Sequence, residues 1–519
     1  MKIRIALLIT LVVSGCKLTT PPPLRDTHVL ADPITVDALE NREDVRLPDG
    51  TSVCSDLLLR KTSIERFMDR NGKEFDLGVI EMSDDGHAAD DVQKDMVLAR
   101  LREVALGGKG KSIDVRKSPG AVIITFVHGW HHRSKVCDNN LACFRRVLEA
   151  ISEAGGKSGR PVFGVYIGWR GDTIEKKGSF LSFYNRKATA HRIGHEGGRE
   201  ILVDLDNMYR ELNDRINNGM RHPVTMVTAG HSFGGALVFS AVEGALVKEL
   251  RNLQGPGSVH AVGRRAIDCN GKEVRPVRPG IGDLVVLVNP AFEASRYQEF
   301  VKDELTTGTY APGQLPVLLT VASEGDSAVK VAFPLGRTFY FAVHPWQLHG
   351  MSDIIGAGHY DPQTTHDLVV TDDENHVIHP PAAKAPTVLP ADEKTTERCH
   401  LDVNAGDLAT CKCEYDVPEL GSVVQQGANL TLSSGSVHSA KNENITLRPR
   451  KPRDPHSPYL VVRVAPEIIS QHSDIYTPRF ITFLTAYISE FLQQAAHVDP
   501  GSLDEPSSRC AALGAVSER

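Results

Sequence analysis

Apolar residues recur along the chain in two periods. Ala121-Val122-Ile123-Ile124-Thr125-Phe126-Val127 is a nearly continuous β-branched and aromatic run, as expected of a strand covered on both faces. Val162 to Ile167 repeats the signal. Val224 to Thr228, Leu284 to Val288, Val317 to Ala322 and Tyr459 to Val464 supply further candidate strands, and Phe75 to Met82 is read as the strand that opens the sheet. Between these runs the spacing becomes helical. Asp90 to Val104 reads as a helix that ends at Gly107 to Gly110. Ile201, Leu202, Leu205, Met208, Leu212 and Ile216 mark an amphipathic helix over 197–217. An Ala-rich apolar segment follows Ser232, and Phe480, Phe483, Leu484, Tyr487, Ile488, Phe491 and Leu492 mark a closing helix. This alternation predicts an α/β fold with a mostly parallel central sheet, flanking helices and right-handed crossovers.

Two regions break the rhythm. Residues 341–456 are rich in Pro, His, Asp and Thr, with short strand signals at Gly421 to Leu432, and read as a cap-like insertion shaping a site entrance or as an accessory module. Residues 16–60 carry Pro21-Pro22-Pro23, Pro33 and Pro48 with little periodicity, the pattern of a tether. The core is expected over 75–340 and 457–495, and a flexible tail over 500–519. No internal repeat is evident.

The first residues combine charge (Met1-Lys2-Ile3-Arg4), an apolar run (IALLITLVV) and Ser14-Gly15-Cys16. This resembles a bacterial lipoprotein signal, which implies removal of residues 1–15 and lipidation of Cys16. Lys17 in place of an aspartate implies delivery to the outer membrane. The alternative is an ordinary cleaved signal with an incidental cysteine. The apolar run is too short for a spanning helix.

Composition narrows the classes. The 519 residues are 41% hydrophobic and 24% charged, with a formal net charge of -7, which argues for a folded chain without a broad basic surface for nucleic acid. Besides Cys16 the chain holds Cys54, Cys137, Cys143, Cys269, Cys399, Cys411, Cys413 and Cys510. An even number in an exported chain is compatible with disulfides and leaves the pairing open. Cys399-His400 with Cys411-x-Cys413 can alternatively be drawn as a zinc site, though disulfides suit the compartment better.

The chemistry concentrates where a strand run ends in Gly230-His231-Ser232-Phe233-Gly234 and a helical run begins. A bend there thrusts the Ser232 hydroxyl out at the carboxyl end of the sheet, as a nucleophile requires; an N-cap serine would satisfy the same pattern. The strand ending at Val127 runs into His128-Gly129-Trp130-His131-His132, where the amide of Trp130 can meet that of Phe233 to form an oxyanion hole. Together, Val127-His128-Gly129-Trp130 and the Ser232 motif resemble the serine esterases and lipases of the α/β-hydrolase superfamily. The likeness covers roughly 75–340 and 457–495.

The resemblance implies an acid after a late strand and a histidine after the last one, in the order Ser, Asp, His. Asp326 in PVLLTVASEGDSAV and His472 in IISQHSDIY match these positions. Asp283 is a rival acid, but it precedes its strand and belongs to the opposite end of the sheet. His359 and His366 are candidates for the entrance, or for the base if the insertion folds over the site. The chain departs from the compact pattern in the long separation between Asp326 and His472. Gly110-Lys111-Ser112 lacks the first glycine and preceding strand of a phosphate loop.

The expectation is a membrane-tethered serine hydrolase acting on carboxylic esters, with lipid acyl esters as a candidate class, through an acyl-enzyme and with no metal or organic cofactor. Its partners would be the ester substrate and, through Cys16, a membrane of the bacterial envelope. Trp130, Trp169, Phe180, Phe183, Tyr184 and Trp346 are candidates for an apolar pocket. The alternative is a noncatalytic envelope protein that binds a lipid, glycan or protein on a hydrolase-like scaffold.

Overall fold

The computed structural model describes most of residues 23–497, apart chiefly from 109–118, 155–158, 172–178, 217–222, most of 253–279, 301–309, 383–410 and 419–428. The signal-like segment with Cys16, the tail beyond 500, Cys269, Cys399 and Gly110-Lys111-Ser112 lie outside the described residues. Among the described residues, thirteen strands form one sheet. In chain order they are β1 (Ile34–Thr35), β2 (Ile64–Met68), β3 (Glu74–Met82), β4 (Ala121–Val127), β5 (Val162–Trp169), β6 (Val224–His231), β7 (Leu284–Val288), β8 (Leu318–Ser323), β9 (His366–Thr371), β10 (Asn429–Leu430), β11 (Gly435–Ala440), β12 (Glu443–Pro449) and β13 (Tyr459–Val464). Their spatial order is β1-β2-β3-β5-β4-β6-β7-β8-β13-β9-β12-β11-β10.

From β3 to β9 every neighbouring pair is parallel. These strands are apolar on both sides because helices cover both faces. Flanking helices include α1 (Asp91–Leu106), α2 (Asn139–Ala154), α3 (Ser179–His195), α4 (Gly197–Ile216), α5 (Phe233–Asn252), α6 (Phe333–Val343) and α7 (Pro478–His497). Local chemistry sets the bounds of α1: the Asp90 carboxylate accepts from the amides of Val92 and Gln93, and Gly107 ends the helix at φ 86°. Two buried clusters fill the layers, one around Phe126, Tyr166, Val462 and Tyr487, the other around Ile123, Leu237, Phe239 and Leu287.

The strand order places the site. The chain leaves β4 for β5 on one side and returns as β6 on the other, so the carboxyl ends of β4 and β6 lie side by side at a change in winding direction. Such a switch leaves a crevice above the strand ends.

The structure departs from the sequence expectations at both ends of the sheet. Residues 23–41, expected within a tether, are folded onto the core. Arg25 is buried, donates to the carbonyls of Ser134 and Thr62, and pairs with Glu65 at 2.6 Å. Arg145 pairs with the same carboxylate at 2.7 Å. Burial alone would push Glu65 up, but the two guanidinium groups hold it below its usual value. An arginine in a proline-rich stretch reads as solvated; its carboxylate lies forty positions away.

The described strands of 341–456 enlarge the sheet instead of forming a cap or separate module. β9 continues it in parallel from β13, and β12, β11 and β10 extend it as an antiparallel meander. Leu368, Val370, Ile445 and Leu447 are buried on these strands, and the Tyr487 hydroxyl on α7 donates to the Leu432 carbonyl. The cysteines serve the same attachment: Cys411 is bonded to Cys137 and Cys413 to Cys143, across sequence separations of 274 and 270 residues. Those bonds use two of the cysteines drawn for the zinc alternative.

Candidate active site

Ser232 occupies the bend between β6 and α5, with φ 57°. This left-handed backbone is unusual for a residue with a side chain, and neighbouring structure holds it there. The Ser232 amide donates to the Val288 carbonyl at 3.0 Å, while its own carbonyl accepts from Ala236 and Ala291, each at 3.1 Å. The glycines leave room for this crossing. A Cβ on Gly234 would lie 2.1 Å from the Val127 carbonyl oxygen and 2.4 Å from that of His128; one on Gly129 would lie 2.8 Å from the Ser232 Cβ. Gly230 meets the Gly234 backbone just as closely. The loop after β4 therefore packs directly against the serine bend.

That contact sets Trp130 beside the serine bend, its ring 6.3 Å from that of Phe233. Trp130 follows Gly129, and Phe233 is the first residue of α5, where an amide has no acceptor within its own helix. The positive end of the helix adds to the field at this point. His128 fixes the other side of the loop: the Trp169 amide donates to its Nε2 at 3.0 Å, so the ring carries its proton on Nδ1 and donates to the Gly129 carbonyl at 2.9 Å. The Trp169 indole donates to the His128 carbonyl at 2.9 Å. Burial lowers His128 to about 4. Trp169, expected as a pocket candidate, is buried as a brace of this loop.

The acid and base arrive from the ends of β8 and β13. Asp326, fully buried, accepts from the Val329 amide at 2.9 Å through Oδ1 and from His472 Nδ1 at 2.7 Å through Oδ2. His472 Nε2 stands 2.7 Å from Ser232 Oγ. The three residues predicted from motif position thus form one hydrogen-bonded chain, despite the 146 residues between acid and histidine. Asp283 is at the other end of the sheet, accepting from the Met226 amide and the Tyr209 hydroxyl.

Two supports were not evident in the sequence. The His472 carbonyl accepts from His231 Nε2 and Asn289 Nδ2, each at 2.9 Å. Asn289 Oδ1 accepts in turn from the Ser323 amide at 2.8 Å, tying the histidine loop to the end of β8. An asparagine following an apolar strand carries no motif; only the side-by-side placement of β7 and β8 gives it this role.

The serine opens into a cavity of about 110 Å³, lined mainly by apolar groups including Trp130, Phe183, Phe233, Val329, Ala332 and Phe333. Beneath Phe333 lies the Lys187 ammonium, 4.6 Å from the ring centre and paired with Glu293, which Arg337 also holds at 3.0 Å. Burial lowers Lys187 to about 8. Ala328, Val329, Ala332, Phe333 and Gly336 supply one wall.

His359 and His366, predicted near the entrance, do not line this cavity. His366 is buried on β9, where it bonds to Thr365 and the Ser433 carbonyl. Burial lowers His359 to about 4 against the pull of the Asp326 charge. Trp346 is 72% exposed instead of packed in the pocket. Among the described residues, no group of three or more His, Cys, Asp or Glu side chains is placed to hold a metal. No protein-family model matches the chain, and no curated protein matches it.

Proposed function

We propose that the protein is a serine hydrolase of the α/β-hydrolase type that cleaves carboxylic esters. The observation that carries this reading is the continuous bonding of Asp326 to His472 and of His472 to Ser232, each at 2.7 Å, beside an apolar cavity. Asp326 holds the imidazole with its proton on Nδ1 and leaves Nε2 to take the proton of Ser232. Ser232 Oγ bonds to the ester carbonyl carbon, and the oxygen gains negative charge opposite the amides of Trp130 and Phe233. As the tetrahedral species collapses, the bond to the alcohol oxygen breaks and His472 returns the proton to it. Water, deprotonated by the same nitrogen, then attacks the acyl-enzyme; the acid leaves and Ser232 regains its proton.

The ester preference, the lipidated anchor and the place in a bacterial envelope follow from the resemblance and the first residues. The triad geometry equally suits other acyl donors. The deciding experiment reacts the protein with a serine-directed phosphonate and measures nitrophenyl ester turnover beside Ser232→Ala. Labelling at Ser232 with turnover lost in the variant is expected. Absence of labelling and turnover in a folded protein favours the noncatalytic binding reading.

A further inference from the structure

The segment that walls the cavity has a second face. Residues 328–343 form a continuous helical stretch comprising a turn at Ala328–Ala332 followed by α6. Ala328, Val329, Ala332, Phe333 and Gly336 line the cavity. Val331, Leu335, Thr338 and Ala342, at the i, i+4, i+7, i+11 spacing of one helical face, are exposed. Val331 is 60% and Leu335 57% exposed. An ordinary surface helix turns polar residues outward; this one turns Val331, Leu335 and Ala342 outward beside Thr338.

The apolar surface continues past the helix. His344 stacks on Tyr340 with ring centres 4.6 Å apart and meets Trp346 at 5.6 Å, carrying the exposed indole beyond the helix end. Leu348 and Met351 are also exposed. The charge is as selective as the apolarity. Between Asp326 and Asp353 the sequence contains no Asp or Glu, while it contains Lys330, Arg337, His344 and His349. Lys330 is exposed, Arg337 is occupied by Glu293, and His349 stands 3.9 Å from the Asp353 carboxylate.

We infer that the surface made by Val331, Leu335, Trp346 and Met351 docks onto an anionic lipid bilayer. A helix lying in the headgroup region buries branched aliphatic residues and an indole, while nearby cations meet the lipid phosphates. Another apolar protein face would satisfy the aliphatic residues but would not call for the exposed indole of Trp346 at the edge, nor for the exposed Lys330 in a stretch without carboxylates from 327 to 352. Because the same helix walls the cavity, docking brings the cavity beside the membrane. Delivery of a bilayer-borne ester to Ser232 then rests on the hydrolase reading; the docking itself does not.

The test uses the full chain carrying Ser232→Ala with vesicles of brominated phosphatidylcholine and phosphatidylglycerol. Bromine on the acyl chains quenches an indole that enters the bilayer, whichever way the amino terminus is held. Quenching is expected, with the signal lost in Trp346→Phe and reduced roughly tenfold or more in partition strength by the double change Val331→Ser and Leu335→Ser. Equal quenching in the parent and in either variant overturns the proposal. So does dependence of the Trp346 signal on protein concentration without vesicles, which would identify a second copy as the occupant. With Ser232 restored, the double variant should retain hydrolysis of a water-soluble ester and lose roughly tenfold on the same ester carried in vesicles; equal loss on both would overturn the delivery role. Quenching without any ester turnover would sink the hydrolase reading and leave the docking surface standing.

Discussion

His231 donates from Nε2 to the backbone carbonyl of His472 at 2.9 Å, with the two rings 5.0 Å apart. The residue preceding the serine thus holds the residue that faces it. The bond leaves His231 Nδ1 bare, buried and without a partner among the described residues. Burial first, and the charge His472 acquires second, push His231 well below its ordinary value. A neutral neighbour suits a histidine that becomes cationic during each proposed transfer, because a second charge would oppose it.

Removing a bond to the His472 carbonyl should misplace His472; of its two donors Asn289 stands outside the cavity lining, whereas His231 is part of it. Asn289→Ala is expected to lower kcat roughly ten- to a hundredfold with little change in KM, and His231→Leu to lower kcat by a similar factor. His231→Gln, which returns a donor near the position of Nε2, should recover most of the loss. Steady-state ester kinetics distinguish positioning from general destabilisation, since a merely unstable variant loses active protein and its recovery would not track the donor.

The strain at Ser232 gives a stability prediction separate from turnover. Ser232→Ala keeps a side chain at φ 57°, whereas Ser232→Gly removes the steric conflict. Both should be inactive as hydrolases, and the glycine form should be more stable than the alanine form by about 1 kcal/mol in denaturant unfolding. An alanine form as stable as the glycine form would mean that the elbow is not strained.

The disulfides should matter most where the segment around Cys411 and Cys413 is attached to α2 and the loop before it. Cys143 and Cys413 close a separation of 270 residues beside the Cys137–Cys411 bond. Replacing Cys413 and Cys143 by serine is expected to cost about 2–4 kcal/mol under oxidising conditions. Hydrogen exchange should locate the loosening in Cys411–Tyr415 and α2, with the triad largely retained. Uniform loosening throughout the sheet would show that the bond has a wider role.

The central strands and triad were legible because their signals are local. A continuous run such as Ile123 to Val127 requires cover on both faces, and Ser232, Asp326 and His472 each follow a run of that kind. The rest depends on pairings distant in sequence. Arg25 finds Glu65, Asn289 finds the His472 carbonyl, and Cys411 finds Cys137. Beyond β13 only β10 falls within a predicted strand signal, that of Gly421 to Leu432; β9 alternates half-buried Asp367 and Val369 with buried Leu368 and Val370, and its apolar face has meaning only once its neighbour is known. The exposed apolar face of 328–343 escaped because its composition equally fits a buried helix, and exposure separates the two.

Acid should weaken the protein through the histidines that the fold keeps neutral. His128 accepts from the Trp169 amide at Nε2, so a proton there would set one donor against another inside the core. Burial lowers this ring to about 4 from an ordinary value of 6.5, and His231 and His359 shift in the same direction. Above about pH 6.5 neither folded nor unfolded chain carries these protons, and their contribution to stability is fully present. Below that value the unfolded chain takes up protons that the folded chain refuses, so stability falls as pH drops toward the folded value near 4. At pH 5, His128 alone should account for a loss of about 2 kcal/mol. Denaturant unfolding at successive pH values checks this: His128→Asn should be weaker at pH 7.5, having lost the acceptor for Trp169, yet show a shallower decline toward pH 5. Parallel declines in the two proteins would mean that His128 does take a proton in the folded state, and that the loop carrying Gly129 and Trp130 tolerates the charge.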